Sequence, residues 1–269
     1  MKRIEARFRQ LAQKQNKALV TFVTAGDPKP EIFARLLAKL PEAGADLIEI
    51  GMPFSDPMAD GPEIQLANQR ALAEGVNLDK IFTLVANFRQ KDNLTPIVLM
   101  GYFNPVKHYG LSAFAAKASA SGVDGLIIVD LPPEEEQEFK LVCGEFDLDL
   151  LRLISTMTPD QRLAQITQDT SGFIYFISVA GTTGLKSADP QDVKRHLARI
   201  KKVSDLPVLI GFGIDSPAKA QALYPIADGI VVGSALVKTI RLALEEGLAD
   251  EQIVSRVVEQ VRSLRPCFL

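Results

Sequence analysis

The sequence predicts an α/β protein with the fold of a (β/α)8 TIM barrel that has an extra N-terminal helix and additional helices after strands 2 and 8. Eight short apolar runs alternate along the chain with helical stretches, and such alternation is typical of a parallel sheet covered by helices. A barrel of this type takes roughly 250 residues, and the chain has 269. No Pro- or Ser-rich linker and no change in composition interrupts it, so we expect a single domain over residues 1–269. The pattern alone leaves an open, doubly wound sheet as the alternative.

Each element follows from its local pattern: short apolar runs bounded by Gly, Pro or Asp for strands, and apolar residues three and four apart for helices. Strands are predicted at residues 18–24, 46–50, 96–100, 125–129, 148–154, 172–177, 207–210 and 229–232. Helices are predicted at residues 4–14, 30–40, 63–73, 78–90, 111–121, 133–143, 159–167, 192–203, 216–223, from 234 onward and at 250–264. The first helix is expected to plug the amino-terminal end of the barrel. Glu134, Glu135 and Glu136 would form an acidic first turn that complements the dipole of the 133–143 helix.

Composition and charge exclude several classes of protein. The formal net charge of −3 gives no reason to expect binding to nucleic acid or to an anionic membrane, and no apolar run approaches the roughly 20 residues that span a bilayer. Two cysteines, Cys143 and Cys267, cannot form a disulfide framework and are interpreted as free thiols of a reducing compartment. Residues 1–5 lack the apolar core of a signal peptide. We therefore expect a cytoplasmic protein.

The stretch from Leu47 to Leu72 contains the two carboxylates best suited to catalysis. Glu49 lies in a short apolar strand, where an ionised carboxylate is costly to bury unless it is paired and where burial raises the carboxyl pKa toward neutral pH. Asp60 ends the following loop, which is too rich in Pro and Gly for a helix or a strand. The alternatives are a structural salt bridge for Glu49 and a helix N-cap or turn role for Asp60.

Glycine-containing segments after the last two strands form a candidate phosphate site. Residues 210–215 include Phe212 and Gly213, and residues 232–235 include Gly233 and Ser234. In (β/α)8 barrels these two loops often bind phosphate, since glycine lets backbone N–H groups approach an anion and a helix beginning at Ser234 points its positive end at it. Ordinary turn chemistry is the alternative. Residues 180–187, after the sixth strand, form a candidate mobile lid, with a plain surface loop as the alternative.

General acid–base catalysis by carboxylates is the chemistry that the residue inventory allows. No lysine lies in the eight strand runs or directly at their carboxyl ends, so a Schiff-base lysine is not indicated. The two histidines, His108 in a predicted turn and His196 in a predicted helix, form no ligand cluster with a cysteine, whereas zinc needs about three protein ligands. Asp130, after the fourth strand, is a further carboxylate candidate, with a cap for the helix near Pro133 as the alternative.

Aromatic and apolar residues near the strand ends complete the candidate site. Tyr102 follows the third strand, and Tyr175 lies in the sixth, where its hydroxyl either enters the barrel mouth or belongs to a packed aromatic side chain with a hydrogen bond. Four further side chains would form an apolar slot suited to a flat aromatic ring: Phe22, Met100, Ile127 and Phe212. Each of these four, taken alone, is also typical of a core residue.

The run from Ile48 to Gln65, IEIGMPFSDPMADGPEIQ, resembles the signature of the tryptophan synthase alpha subunit family. The family pattern is close to (aliphatic)-E-(aliphatic)-G-x-P-F-S-D-P-x-A-D-G-P-x-I-Q, and this chain meets every fixed position. A pattern of this length is highly specific, and the resemblance extends from about Phe8 to about Ile240. It implies a barrel enzyme that cleaves indole-3-glycerol phosphate to indole and glyceraldehyde 3-phosphate in a metal-free retro-aldol reaction.

The resemblance also implies a role for each candidate residue. Glu49 would protonate C3 of the indole and take a proton from the glycerol hydroxyl, Asp60 would accept a hydrogen bond from the ring N–H and stabilise its positive charge, and Tyr175 would orient Glu49 or the substrate. The phosphate would be bound by Gly184, Gly213, Gly233 and Ser234, with Thr183 and Gly184 in the loop that closes over the substrate. Met100 stands where many members have leucine, a volume-conserving difference.

The resemblance further implies an α2β2 complex, in which indole passes to a beta subunit that holds pyridoxal phosphate. We expect no cofactor and no metal on this chain itself. The docking surface would be the loop Pro53–Met58 with the lid nearby, unless that loop is a rigid catalytic loop without a partner. Three rival functions stay open: another phosphate-binding barrel such as a sugar-phosphate isomerase or epimerase, a stand-alone lyase that needs no partner, and a non-enzymatic barrel that acts as an allosteric interaction subunit.

Overall fold

The computed structural model describes residues 1–168, 170–178, 190–211 and 213–265, and these contain nine strands and twelve helices. The strands are β1 (Ala18–Thr24), β2 (Leu47–Gly51), β3 (Ile97–Gly101), β4 (Gly125–Ile128), β5 (Asp149–Leu150), β6 (Arg152–Ser155), β7 (Ile174–Ile177), β8 (Val208–Gly211) and β9 (Gly229–Val232). The helices are α1 (Arg3–Gln13), α2 (Pro30–Ala43), α3 (Pro62–Ala73), α4 (Leu78–Arg89), α5 (Phe103–Tyr109), α6 (Leu111–Ser121), α7 (Gln137–Glu145), α8 (Asp160–Gln168), α9 (Pro190–Lys201), α10 (Pro217–Leu223), α11 (Ser234–Glu245) and α12 (Asp250–Leu264).

The strands form one parallel sheet that closes into a barrel. Their order is β5-β4-β3-β2-β1-β9-β8-β7-β6. The two end strands, β5 and β6, are consecutive segments of the predicted fifth strand, interrupted at Leu151; β5 pairs with β4 and β6 pairs with β7. β5 and β6 are parts of one continuous segment, which pairs with β4 on one side and with β7 on the other. Counted as one strand, this segment closes the sheet into a ring of eight strands. The (β/α)8 prediction is confirmed, and the open, doubly wound sheet is rejected.

Side chains alternate between the barrel interior and the helix layer, as the pleat of a strand requires. In β1, Val20 belongs to the interior cluster, whereas Leu19 and Val23 pack outward against the helices. The interior cluster contains residues from most of the barrel strands, namely Ala18, Val20, Leu47, Val98, Ile127, Leu151, Tyr175, Leu209 and Val231. Glu49 is two residues beyond Leu47 in β2, so its side chain lies on the interior face one layer nearer the carboxyl ends of the strands.

Helix α1 closes the amino-terminal end of the barrel, which confirms the predicted plug. Ile4 and Leu11 are buried in the interior cluster, and the ring of Phe8 lies 5.8 Å from that of Phe173. The helix is also fixed by charge, since Arg3 pairs with Asp124 at 2.8 Å. An apolar face and a charged edge together hold α1 across the barrel floor.

Three aspartates at the amino-terminal ends of strands fix the register of the sheet. Asp46, before β2, accepts a hydrogen bond from the N–H of Leu19 at 3.0 Å. Asp124, before β4, accepts one from Ile97 N–H at 2.7 Å, and Asp228, before β9, accepts one from Val208 N–H at 2.9 Å. Each carboxylate satisfies an N–H of the preceding strand in the sheet. An Asp just before an apolar strand therefore acts as a side-chain link between neighbouring strands.

Two element predictions were wrong. Helix α5 occupies a segment with no predicted helix, so His108 lies in a helix and not in a turn. Helix α7 begins at Gln137 and not at Pro133, so the acidic residues before it are not its first turn. Glu134 instead pairs with Arg162 at 2.7 Å, and Glu136 pairs with the buried Arg152. Two of these acidic residues therefore form ion pairs with distant arginines and do not lie in the first turn of α7.

A cleft of about 360 Å³ opens at the amino-terminal face, between α1 and the segments before β8 and β9. It is lined by apolar side chains such as Leu11 and Pro207 and by Lys17, Lys201 and Asp228. Lys201 pairs with Asp228 at 2.7 Å, so these charges already compensate each other. The cleft lies at the end of the barrel opposite to the carboxyl ends of the strands, where (β/α)8 enzymes place their sites.

Within the described ranges, no helix has both the length and the apolar character needed to cross a membrane. In the same part of the chain, no three or more His, Cys, Asp or Glu side chains are grouped so that they could hold a metal ion. Cys143 is buried, and burial raises the pKa of its thiol to about 12. Cys267 lies outside the described residues.

Candidate active site

Glu49 is a buried carboxyl group in the wall of the barrel. It lies in the middle of β2, paired in register with Phe22 of β1 and Val98 of β3. The residue is 0% exposed, and neither carboxyl oxygen has a hydrogen-bond partner among the described residues. Burial raises the pKa of Glu49 to about 8. The salt bridge considered as the alternative is absent from the described part of the chain, so nothing there holds Glu49 ionised.

This environment suits a group that exchanges protons near neutral pH. A carboxyl with a pKa of about 8 is mainly protonated at pH 7 and can donate a proton, and the resulting carboxylate is then a much stronger base than an ordinary glutamate. Two buried carboxyl oxygens without hydrogen bonds cost folding free energy unless a ligand or water binds to them. Glu49 therefore has the properties of a general acid–base group.

Tyr175 lies on the interior face of β7, across the barrel from β2. It is 5% exposed, and its ring covers Gly211, where an added Cβ would lie 2.2 Å from Oη. Burial and, secondly, the nearby charge of Glu49 raise the pKa of Tyr175 well above its ordinary value. The hydroxyl consequently keeps its proton. This placement fits both interpretations of Tyr175, a hydroxyl in the barrel mouth and a packed aromatic side chain with a hydrogen bond.

Asp60 lies between the proline-rich loop and α3. The N-cap of α3 is Gly61, and the helix begins at Pro62, one residue before the predicted start. Asp60 does not cap the helix; its Oδ2 accepts a hydrogen bond from Nδ2 of Asn68 at 3.0 Å, and it also accepts one from the hydroxyl of Tyr102. Burial raises the pKa of Asp60, and these two hydrogen bonds oppose the rise. The N-cap alternative is therefore rejected.

Tyr102 holds the loop that leads to Asp60. Its hydroxyl accepts a hydrogen bond from the N–H of Ala59 at 3.0 Å, and its ring lies 5.2 Å from the ring of Phe54. Burial and the charge of Asp60 raise the pKa of Tyr102 to about 12, so the hydroxyl stays protonated and can donate to the carboxylate. Tyr102 thus contacts the proline-rich loop at two places, at Phe54 and at Ala59 near the end of the loop.

Three of the four side chains predicted for the apolar slot lie in the described part of the chain. Phe22 is 6% exposed and packs with Met100, and Ile127 is buried in the interior cluster. The ring of Phe22 fills the space above two glycines: a Cβ on Gly51 would lie 2.5 Å from Cζ of Phe22, and one on Gly233 would lie 3.0 Å from its Cβ. The absence of side chains at both glycines therefore makes room for Phe22.

The predicted phosphate end combines a left-handed glycine with a helix start. Gly213 has φ +77°, a conformation that favours glycine. Helix α11 begins at Ser234 after Gly233, with no side-chain cap and no acidic residue in its first turn. Its first N–H groups therefore form the type of terminus that binds anions. The predicted residues Thr183, Gly184 and Phe212 lie outside the described residues.

Asp130 has a structural role that differs from both of the predicted ones. Its Oδ1 accepts a hydrogen bond from the N–H of Phe103 at 2.7 Å. It thereby caps the start of α5, which follows the neighbouring strand, and not the helix that follows its own strand. This contact gives Asp130 a structural role at the start of α5.

Two polar residues of this region were missed by the sequence analysis. Thr24 is 0% exposed, and its hydroxyl has no hydrogen-bond partner within the described ranges; by the alternation of β1 it lies on the same face as Phe22. Asn68 is 3% exposed and contacts Asp60 directly. The period of β1 could have identified Thr24. Nothing local marks Asn68, because its contact depends on how α3 folds back over the loop.

Comparison with known proteins identifies the family. The sequence model of the tryptophan synthase alpha chain matches residues 8–266 of this chain. The chain belongs to the tryptophan synthase alpha chain family.

Solved structures of relatives agree with this assignment. The alpha subunit from Legionella pneumophila str. Paris is 38% identical with a TM-score of 0.91, and the alignment covers 98% of this chain and 97% of that one. A tryptophan synthase chain from M. tuberculosis, solved in an aminoacrylate-bound form, is 32% identical with a TM-score of 0.85 and coverages of 98% and 100%. A chain of the a2b2 complex from Pyrococcus furiosus is 40% identical with a TM-score of 0.80 and coverages of 91% and 97%. The fold and the family are thus shared along nearly the whole chain.

The role of the tryptophan synthase alpha chain is the cleavage of indole-3-glycerol phosphate, and members of the family are lyases of tryptophan biosynthesis. The activity predicted from the signature is confirmed at this level. A sugar-phosphate isomerase or epimerase, the first rival, is rejected by the family assignment.

Proposed function

We propose that this chain cleaves indole-3-glycerol phosphate to indole and glyceraldehyde 3-phosphate, with Glu49 as the acid–base group, Asp60 as the electrostatic stabiliser and Tyr175 as an orienting residue. The observation that carries the proposal is the carboxyl group of Glu49, which is 0% exposed, has no hydrogen-bond partner among the described residues and has a pKa of about 8. We also propose that the chain forms a single barrel domain.

Glu49 performs two proton transfers in one turnover. Its protonated form donates to C3 of the indole, which converts the ring into a cationic leaving group. The carboxylate that remains then accepts the proton of the glycerol hydroxyl next to the bond that breaks. As the C–C bond breaks, its electron pair returns to the ring and a carbonyl forms on the departing fragment. Glu49 ends the cycle protonated again, so no proton is consumed, and Tyr175 keeps its own proton throughout.

Asp60 stabilises the intermediate in which the ring is positively charged. An ionised carboxylate that accepts a hydrogen bond from the ring N–H interacts with it most strongly when the ring becomes cationic. It therefore stabilises the transition state more than it stabilises the bound substrate. The hydrogen bonds from Asn68 and Tyr102 favour the ionised form of Asp60 and leave lone pairs on its two oxygens for the ring N–H. Burial strengthens this interaction by lowering the local dielectric constant.

Apolar side chains and backbone N–H groups bind the two ends of the substrate. The indole ring lies among Phe22, Met100, Tyr102, Ile127 and Phe212. The phosphate lies at the start of α11, on Gly233 and Ser234, with Gly213 and Gly184 beside it and Thr183 in the closing loop. The uncapped start of α11 and the left-handed Gly213 support this end of the proposal.

The chain acts with a beta subunit in a cytoplasmic α2β2 complex. The relative from Pyrococcus furiosus is a chain of an a2b2 complex, which supports such a partner. Indole passes to the beta subunit, where pyridoxal phosphate supplies the chemistry of tryptophan formation. The loop Pro53–Met58, in which Met58 is 79% exposed, is the proposed docking surface.

Release of indole from indole-3-glycerol phosphate tests the assignment. Glu49→Gln and Asp60→Asn are each expected to lower kcat by about 10²-fold or more. A Glu49→Gln variant with normal turnover would reject the acid–base role and support the non-enzymatic alternative. Titration with purified beta subunit tests the partner, because a rate that stays flat would favour a stand-alone lyase.

A further inference from the structure

Helix α3 lies over the barrel mouth and is fixed at both ends by bidentate ion pairs. At its start, Glu63 binds Arg241 of α11, with N···O distances of 2.8 and 3.1 Å. In its last turn, Arg70 binds Asp27, which is 1% exposed, at 2.6 and 2.9 Å. Bidentate Arg–carboxylate pairs fix orientation as well as distance. The helix is therefore held at a defined angle to both β1 and α11.

The face of α3 between these pairs contacts the candidate site. Ala67 and Ile64 pack with Phe22 of β1 and Val237 of α11 in a small apolar cluster. The next residue, Asn68, is 3% exposed, and its Nδ2 donates to Oδ2 of Asp60 at 3.0 Å. The side-chain amide of Asn68 is thus a buried donor aimed at one oxygen of the proposed stabilising carboxylate.

We propose that Asn68 is a positioning residue for Asp60, and that α3 with its two ion pairs is the rigid support that fixes it. The inference rests on the role of Asp60 in the proposed function. Asp60 lies on a loop, but its hydrogen bond to a residue of a fixed helix orients its carboxylate toward the ring N–H.

The chemistry of an amide suits this task better than that of a cation. A lysine or arginine in contact with Asp60 would neutralise the charge that has to stabilise the cationic ring. An amide N–H orients the carboxylate and leaves its charge in place. Arg70 of α3 pairs with Asp27, and Arg241 of α11 pairs with Glu63 of α3, so both guanidinium groups bind carboxylates other than Asp60.

The hydrogen bonds to Asp60 also differ in origin. Tyr102 belongs to the β3 side of the barrel and contacts the loop at Ala59 as well as Asp60, so it anchors the loop to that side. Asn68 belongs to a helix anchored to β1 and α11. The amide of Asn68 is therefore the contact that ties Asp60 to the part of the site where Phe22 and the start of α11 lie.

Steady-state cleavage of indole-3-glycerol phosphate by the full chain tests the inference with two variants. Asn68→Ala removes the donor, and the nearly isosteric Asn68→Asp replaces the donor by an acceptor. Each is expected to lower kcat by about 10- to 100-fold, the cost of misplacing a catalytic group by a fraction of an ångström to an ångström, with a smaller change in KM. Affinity for inorganic phosphate should stay at the wild-type value, since the phosphate end is not altered.

A control and a double variant separate positioning from stability. Asn77→Ala removes another asparagine contact, the cap that accepts from Lys80 N–H at 3.0 Å at the start of α4, and is expected to leave kcat unchanged. Asp60→Asn combined with Asn68→Ala should be no slower than Asp60→Asn alone, because Asn68 acts through Asp60. Losses that multiply in the double variant, or a normal kcat in both Asn68 variants, would overturn the inference while the role of Asp60 stands. A normal kcat in Asp60→Asn would instead overturn the role of Asp60, and the inference with it.

Discussion

The ring of Tyr175 rests directly on Gly211, so closely that a Cβ at position 211 would lie 2.2 Å from Oη. The two residues are on neighbouring strands, β7 and β8, where Tyr175 pairs with Leu209 and Ile177 pairs with Gly211. The glycine provides the space in which the tyrosine hydroxyl lies within the barrel. Because Gly211 has no side chain, the ring of Tyr175 can occupy this position.

Gly211→Ala is expected to displace Tyr175 and to lower kcat by about 10-fold or more, since a small misplacement of a catalytic group is costly. The measurement is indole release, accompanied by thermal unfolding. Gly144→Ala is the matched control, because a Cβ there meets nothing within 4 Å in helix α7. That control should keep its activity and gain about 0.5–1 kcal/mol of stability. Equal activity of the two variants would reject the positioning of Tyr175 by Gly211.

The stability of the protein should depend on pH through Glu49. The pKa of Glu49 is about 8 in the folded chain and near its model-compound value of 4.5 in the unfolded chain. Between these values the unfolded chain holds fewer protons, so the free energy of unfolding falls as pH rises, by up to about 1.4 kcal/mol per pH unit. Glu49→Gln does not titrate, and its stability advantage should grow from pH 4.5 to pH 8 and then level off.

Urea unfolding at several pH values measures that difference. The dependence of the free energy on urea concentration should be the same in both proteins, because both expose the same surface on unfolding. Parallel pH profiles for the wild type and Glu49→Gln would show that Glu49 does not hold its proton in the folded state.

The pH dependence of catalysis should have a basic limb near pH 8. Glu49 begins the cycle protonated, so kcat/KM is expected to fall as it ionises with its pKa of about 8. On the acidic side, Asp60 has to be ionised, and since burial raises its pKa, the rate should fall before the pH reaches the range of an ordinary aspartate. A rate that continues to rise well above pH 8 would mean that ionised Glu49 is the starting form.

The pair between Arg241 and Glu63 should affect catalysis and not only stability. Arg241→Gln loosens the start of α3 from α11, and a fall in kcat of about 3- to 10-fold is expected from the freedom given to Asp60. Arg256→Gln is the control, since Arg256 pairs with Glu246 at 2.6 Å at the other end of α11, and the two side chains are 41% and 50% exposed, where such pairs contribute little. Loss of activity in both variants to the same extent would point to a general effect on α11.

Much of the fold and part of the site could be predicted from the sequence. The alternation of apolar runs and helical periods predicted a parallel sheet covered by helices, because a sheet buried on both faces leaves a distinct pattern at each strand, whereas the pairing of the end strands decided between a barrel and an open sheet. Glu49 could be identified because a single charged residue in an apolar strand is conspicuous, and the long signature around it specified the family. Helix α5 and the start of α7 were mispredicted, since long-range contacts such as Asp130 to Phe103 and Glu136 to Arg152 decide these ends.

What the sequence by itself determined is therefore the set of groups: an acid–base carboxyl, a second carboxylate after a stiff loop, and glycines at the ends of the last strands. Only the tertiary structure decided their environment. Glu49 has a pKa of about 8 because neighbouring strands and helices remove water from it and offer no partner among the described residues, and Asp60 is aimed by Asn68 because α3 folds back over the loop. Burial and hydrogen-bond direction depend on which distant segments meet, and spacing along the chain does not encode that.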